Sequence, residues 1–345
     1  MERRSGYVAV LRTRQAEHDA LREVAPEVRP LLAPLIEVTP REASSRAELS
    51  PQRIAQWAWR FAIGSGGTGE LYLDLGDLLD HPEAETICGE LQYLVLSIRS
   101  EMQLVFRTRD FARRGIAAAR ELLQRNGAVF RITQADYLSP ALNELVRFTR
   151  INRLNYSNID LVVDCQLVAD GQRLQGTVDR LERDFPWRSV TYLGGSFPPD
   201  LSDFPKNGEY EIPRIEWQAF EHEEAIHRRA RYGDYTIRHP LQRDELPFPP
   251  SASIRYTGSD HWVIMRGEKP GGPERPGPEQ YIGHAQLLRA RPEFSGADFS
   301  AGDAYIELIA SQLTGKTGNS TKWVQAGVNH HLTLAARQVA RLRAA

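Results

Sequence analysis

The sequence predicts an α/β fold: a TIM-like (β/α)8 barrel followed by a C-terminal extension of a β-hairpin and helices. Two observations carry this expectation. Up to residue 240 the chain repeats one unit, a short apolar run that ends in a charged or glycine residue and then passes into a stretch of helical spacing. The runs are continuously apolar rather than alternating, as parallel strands covered on both faces are. Eight of them precede a change of pattern, which is the number that a closed barrel with an outer ring of helices requires.

The strand runs are residues 8–11 into Arg12, 34–36 into Glu37, 71–73 into Asp74, 104–106 into Arg107, 128–130 into Arg131 and 159–163 into Asp164. The seventh, 189–193, ends at Gly194-Gly195-Ser196, and the eighth, 234–237, ends at Arg238-His239. Between them lie helical segments. Residues 15–24 carry Leu21 and Val24 among charges, and 51–63 place Ile54, Trp57, Ala58, Phe61 and Ala62 at helical spacing. Residues 83–100 put Ile87, Leu91, Leu94, Val95 and Ile98 on one stripe. Residues 111–123, 140–154, 178–185 and 215–231 continue the rhythm, and Gly233 suits a left-handed helix cap. The glycine-rich run 64–69 precedes a strand, so it is a connection and not a dinucleotide loop.

Past residue 240 the pattern changes. Pro240, Pro247, Pro249 and Pro250 make a stiff link. Residues 253–256 and 262–265 flank Gly258-Ser259-Asp260 as a hairpin, 269–280 form a proline- and glycine-rich loop, and 304–313 and 323–343 read as two helices. The expected division is therefore 1–240 for the barrel and 241–345 for the extension packed on it.

Composition bounds the function. The 43 basic and 45 acidic residues nearly cancel, leaving a formal charge of −2, so no overall field draws the chain to nucleic acid or an anionic membrane. The basic clusters at 227–231 and Arg113-Arg114 read as solvated helix faces, and direct nucleic-acid binding is not expected. Cys88 and Cys165 suggest reduced thiols and a cytoplasmic setting. No stretch reaches the roughly 20 apolar residues of a membrane span, and the first residues run into a strand rather than a signal-peptide core. Gly315-Lys316-Thr317 is not a P-loop, because Ala310 stands where its first glycine belongs.

The order Leu35-Ile36-Glu37, Leu73-Asp74-Leu75, Phe106-Arg107, Phe130-Arg131-Ile132, Val163-Asp164, Gly195-Ser196-Phe197-Pro198, Tyr232-Gly233-Asp234-Tyr235, Ile254-Arg255-Tyr256 and Trp323 with His330-His331 resembles the beta protein family. That family is named after a protein of T-even bacteriophages, and bacterial members occur near mobile or phage-related genes. The resemblance implies a TIM-like barrel and a phage-related or antiviral-defence context. It assigns no reaction and no catalytic residue.

The strand ends carry the chemistry. Glu37, Asp74 and Asp164 are candidate catalytic residues and candidate ligands for Mg2+ or Mn2+, which take oxygen donors. Arg12, Arg107 and Arg131 are candidate ligand-binding residues, since a guanidinium fork pairs with phosphate oxygens, with Asp77 and Arg109 beside them. Gly194, Gly195 and Ser196 follow the seventh strand, where phosphate-binding barrels place an anion loop. Asp234 is expected to precede its strand and to sit at the opposite rim. His330 and His331 are adjacent, so their side chains diverge by about 100° on a helix; His330 is a further catalytic candidate, and packing is the plainer role for both.

Three readings of this set stay open: an ion-pair ring closing the barrel top, a phosphate-binding mouth, or a metal-dependent hydrolase. The function expected is a ligand- or partner-binding module, its mouth suited to a phosphate-bearing small molecule and its extension contacting an operon-encoded protein. The alternative is divalent-metal-dependent hydrolysis of a phosphodiester or phosphate ester.

Overall fold

The computed structural model describes residues 6–39, 50–63, 70–97, 101–110, 114–133, 141–169, 185–227, 230–241, 251–270, 276–312, 315 and 317–344. The glycine run 64–69, most of the helix expected at 178–185 and the prolines at 247–250 lie outside them, as do Arg113, Arg228, Arg229 and Lys316.

Eight parallel strands close into the predicted barrel: β1 (Tyr7–Arg12), β2 (Leu32–Glu37), β3 (Leu71–Asp74), β4 (Met102–Arg107), β5 (Ala128–Thr133), β6 (Ile159–Leu167), β7 (Ser189–Gly195) and β9 (Arg231–Asp234). Closure is made by β1, which pairs with both β2 and β9. Around the strands run α1 (Gln15–Arg22), α2 (Pro51–Ile63), α3 (Ala84–Ser97), α4 (Arg120–Asn126), α5 (Ala141–Ile151) and α6 (Ile215–His227). Proline at the first turn of α2 forfeits only an N–H that has no helical partner there. The helix expected over 111–123 is resolved into a 3-10 segment, Arg114–Ala119, and then α4.

Strand alternation decides which side chains enter the barrel. Val8, Val10, Leu35, Tyr72, Val105, Val129, Val162 and Leu193 form an interior cluster. Their neighbours of the opposite phase, such as Tyr7, Ala9, Leu11, Phe106 and Phe130, face the helices in the larger core. Two residues beyond Val10, Leu35, Tyr72, Val105, Val129 and Val162 come Arg12, Glu37, Asp74, Arg107, Arg131 and Asp164, so all six share the interior phase.

The extension differs from a plain hairpin. β10 (Ser253–Thr257) and β11 (His261–Arg266) are joined by β8 (Gly208–Pro213), which leaves the chain between β7 and β9 and pairs antiparallel with β11. Among the described residues three helices follow instead of two: α7 (Gln280–Arg289), α8 (Ala301–Ala310) and α9 (Ser320–Ala344). Ser300 caps α8 by accepting the Asp303 N–H at 3.2 Å. Trp323 of α9 joins Ile254, Tyr256, Tyr281 and Ile306 in the extension core, while Val328, Leu332, Ala336 and Val339 belong to the barrel core. One helix thus serves both. Its approach to α8 requires glycine at 302, where a Cβ would stand 2.2 Å from the Ala326 carbonyl oxygen.

Candidate functional site

The interior phase brings the six strand-end residues together at the C-terminal mouth as one ion-pair ring. Arg107 donates from Nε (3.0 Å) and Nη2 (2.8 Å) to Asp74 Oδ2, and from Nη2 to Glu37 Oε1 at 2.6 Å. Arg131 donates from Nη1 to Glu37 Oε1 (3.1 Å) and Asp74 Oδ2 (3.0 Å), from Nε to Asp164 Oδ2 (2.8 Å), and from Nη2 to the Tyr235 hydroxyl (2.9 Å). Tyr235 in turn donates to Asp164 at 2.7 Å. Arg12 approaches Glu37 at 3.7 Å and spends Nη2 on the His239 and Pro240 carbonyls at 3.1 and 3.4 Å.

Three arginines and three carboxylates balance. Burial alone would raise the Asp74 carboxyl, but Arg107 and Arg131 overcome it and hold the group below the ordinary carboxylate value. Backbone N–H groups serve the other oxygens of Asp74 and Asp164. Gly76 N–H donates to Asp74 Oδ1 at 3.1 Å, and Gln166 N–H to Asp164 Oδ1 at 2.9 Å. The oxygens that Mg2+ or Mn2+ would need from Asp74 and Asp164 therefore each face a donor, and Glu37 lies between Arg107, Arg131 and Arg12. This donor pattern does not fit a resident metal on Glu37, Asp74 and Asp164. Among the described residues, the set of carboxylates and histidine whose ligand atoms all fall within 4.8 Å of one another is Glu211, His261 and Glu293, elsewhere in the fold.

The ring is not uniformly closed. The side chains of Arg12 and Arg131 are 9% and 7% exposed, whereas that of Arg107 is 30% exposed. Arg107 is the arginine that a ligand arriving from outside would meet.

The other expectations fare differently. Gly194 and Gly195 are the last residues of β7 itself and not a loop after it. A Cβ on Gly195 would stand 2.9 Å from Pro240 Cγ and 3.2 Å from Tyr235 Cδ2, so glycine here admits the chain leaving β9. The Ser196 hydroxyl donates to Glu216 Oε2 at 2.6 Å and accepts the Ile215 N–H at 3.1 Å, so it ties β7 to α6. The eighth strand is Arg231–Asp234, three residues before the expected run, and Asp234 ends it instead of preceding it.

Asp234 has the outward phase of β9 and lies under α9. It accepts from Tyr7, from Tyr232 (2.9 Å), from the Thr236 N–H (2.9 Å) and from His331 Nε2 (2.9 Å). Burial opposes its ionisation, yet His331, Arg214 and Tyr7 bring it down to about 2. Burial lowers His331, although Asp234 opposes this; its Nε2 lies 2.9 Å from Asp234 Oδ2 and its Nδ1 3.0 Å from the Thr257 hydroxyl. Glu216 is buried in the same cluster, 3.6 Å from Arg214, and burial pushes its carboxyl up to about 7. Hydropathy patterning does not reveal this cluster, because Tyr7, Tyr232, Arg214 and Glu216 meet only when β1, β9, α6 and α9 pack.

His330 is not at the mouth. It is fully buried in the extension, with Nδ1 2.8 Å from Asp303 Oδ2, Nε2 2.9 Å from the Thr257 carbonyl oxygen and its ring stacked on Tyr256. Packing is the role this geometry supports.

No described helix is long and apolar enough to cross a membrane. No curated protein sequence matches the chain. Among solved structures, the crystal structure of the spore cortex-lytic enzyme SleL of Bacillus megaterium QM B1551 aligns over 94% of this chain and 75% of that one, at 11% identity and a TM-score of 0.29. The profile of the Beta protein family matches residues 7–337. With the closed eight-stranded barrel in place and the match extending from the first strand into the last helix, the chain belongs to the Beta protein family.

Proposed function

We propose that this chain is a ligand-binding module whose barrel mouth receives a phosphate-bearing group at Arg107, and whose C-terminal segment, residues 241–345, contacts a protein partner. The carrying observation is the asymmetry of the ring. Arg107 is held by Asp74 and Glu37 in a single orientation and is yet 30% exposed, at the rim where barrels keep their sites. A guanidinium oriented in advance loses little freedom on binding, and phosphate oxygens match its fork. The setting we assign is phage-related antiviral defence, with the partner encoded nearby.

The competing reading, metal-dependent hydrolysis of a phosphate ester, needs Asp74 and Asp164 released from the donors that now hold them. A titration separates the two. Inorganic pyrophosphate should bind in the presence of chelator, and Arg107→Ala should weaken it by about 1.5–3 kcal/mol, the scale of a charge-assisted hydrogen bond. Affinity unchanged in Arg107→Ala would sink the proposal. Binding that appears only with Mn2+ and disappears in Asp74→Asn would favour the hydrolase.

A further inference from the structure

Outside the barrel, three side chains of types that can ligate a metal, from three separate segments, come together. Glu211 comes from β8, His261 opens β11, and Glu293 stands in the segment after α7. Their ligand atoms all lie within 4.8 Å of one another. His261 Nε2 and Glu293 Oε1 are 3.3 Å apart. Ligands at about 2.0–2.1 Å from a tetrahedral zinc centre stand roughly 3.3 Å from each other, so this spacing needs little adjustment.

Two independent features accompany the cluster. The other ring nitrogen of His261, Nδ1, is 2.8 Å from Asp260 Oδ1. A carboxylate in that place fixes the tautomer that leaves Nε2 free to ligate, and it raises the basicity of the ring. Glu293 also lines a cavity of about 390 Å³, shared with Thr257, Gly258, Ser259, Ser295 and Leu334. Of the three residues Glu293 alone lines that cavity, and three protein ligands are the number found in a zinc centre that keeps an open position rather than in a closed four-ligand structural one.

We propose that Glu211, His261 and Glu293 bind a divalent transition metal of the zinc class, with Asp260 orienting the histidine. Arg291 is the cation that now serves these carboxylates. It contacts Glu211, reaches Glu209 at 3.1 Å and reaches Glu293 at 3.1 Å. Its side chain is 22% exposed, and a metal ion binding here would have to displace this guanidinium from Glu211 and Glu293. Imidazole with carboxylates selects zinc and its neighbours over Mg2+ or Ca2+, which prefer all-oxygen sets. The bound ion would clamp β8 to the hairpin and to the turn that follows α7.

The test uses the full chain after treatment with chelator and dialysis. Co2+ should bind with one equivalent, give the visible absorption of a tetrahedral centre, and be displaced by Zn2+. His261→Ala and Glu293→Gln should abolish that absorption, and Asp260→Asn should weaken affinity by about 10–100-fold. A second measurement needs no variant: Zn2+ should protect His261 from diethylpyrocarbonate. Failure of the wild-type chain to bind Co2+, an equivalent that survives His261→Ala, or a His261 that reacts equally with and without Zn2+ would overturn the proposal.

Discussion

Replacing Glu216 with glutamine should remove a loss of stability that the wild-type chain suffers between pH 4.5 and 7. Glu216 is completely buried at the start of α6, where Ser196 donates to it and Arg214 lies 3.6 Å away. Burial is the largest influence and raises the carboxyl from 4.5 to about 7; Arg214 opposes this and Asp234 adds to it. In that window the native state keeps a proton that the unfolded chain has released, so stability falls as pH rises. The loss begins near 4.5, is complete near 7 and amounts to about 3 kcal/mol, at 1.36 kcal/mol for each pH unit between the two values. Glutamine is neutral throughout and keeps an acceptor for Ser196. Urea unfolding of both proteins at half-unit pH steps from 4.5 to 7.5 should show the variant gaining on the wild type by about 3 kcal/mol across the range. Taking the difference cancels the groups that both proteins share. A flat difference, or one in which the variant loses ground as pH rises, would refute the argument that burial dominates at Glu216.

Further outcomes follow from other parts of the fold. Arg131→Met should cost about 3–5 kcal/mol in chemical denaturation, because it leaves Asp164, Asp74 and Glu37 buried without their shared cation; a change under about 1 kcal/mol would show that the ring relaxes or hydrates freely. Asp234→Asn should remove a contribution that the wild type holds above about 4 and loses as the pH falls towards 2, so the gap between the two proteins should narrow on acidification. Gly302→Val should lower the melting temperature at a cost of about 1–3 kcal/mol, since α8 and α9 must separate to clear the Ala326 carbonyl; an unaltered melting temperature would mean that the crossing is looser than the structure has it.

The mouth residues were legible because strand geometry makes them so. Arg12, Glu37, Asp74, Arg107, Arg131 and Asp164 each end an apolar run, and a period of two places each on the face of the interior residue two positions earlier. The buried cluster around Asp234 was not legible. Its members are separated by up to 324 positions in the chain, and Tyr7 and Tyr232 look like ordinary core aromatics in sequence. β8 has no signal in the sequence for a related reason. It alternates half-buried and exposed residues through Glu209, Tyr210 and Glu211, has no apolar run, and is a strand only because β11 offers it an edge. The eighth barrel strand lies earlier than the pattern suggests, because residues 234–237 carry two apolar positions, whereas Arg231–Asp234 is rich in polar groups that find partners only within the folded barrel.

Local pattern alone determined the barrel, the number of its strands and the six charged groups at its mouth, because burying continuous apolar runs on both faces leaves few alternatives to a parallel sheet sheathed in helices. The pairing of those charges was another matter. Whether Asp74 waits for a metal or is held by Arg107 and Arg131 depends on strand order and on which side chains fill the space between, and those are properties of the closed barrel. The meeting of Glu211, His261 and Glu293, and the burial of Glu216 and His331, likewise depend on long-range packing. Short-range periodicity states which face a residue takes, and only the assembled fold states what it meets there.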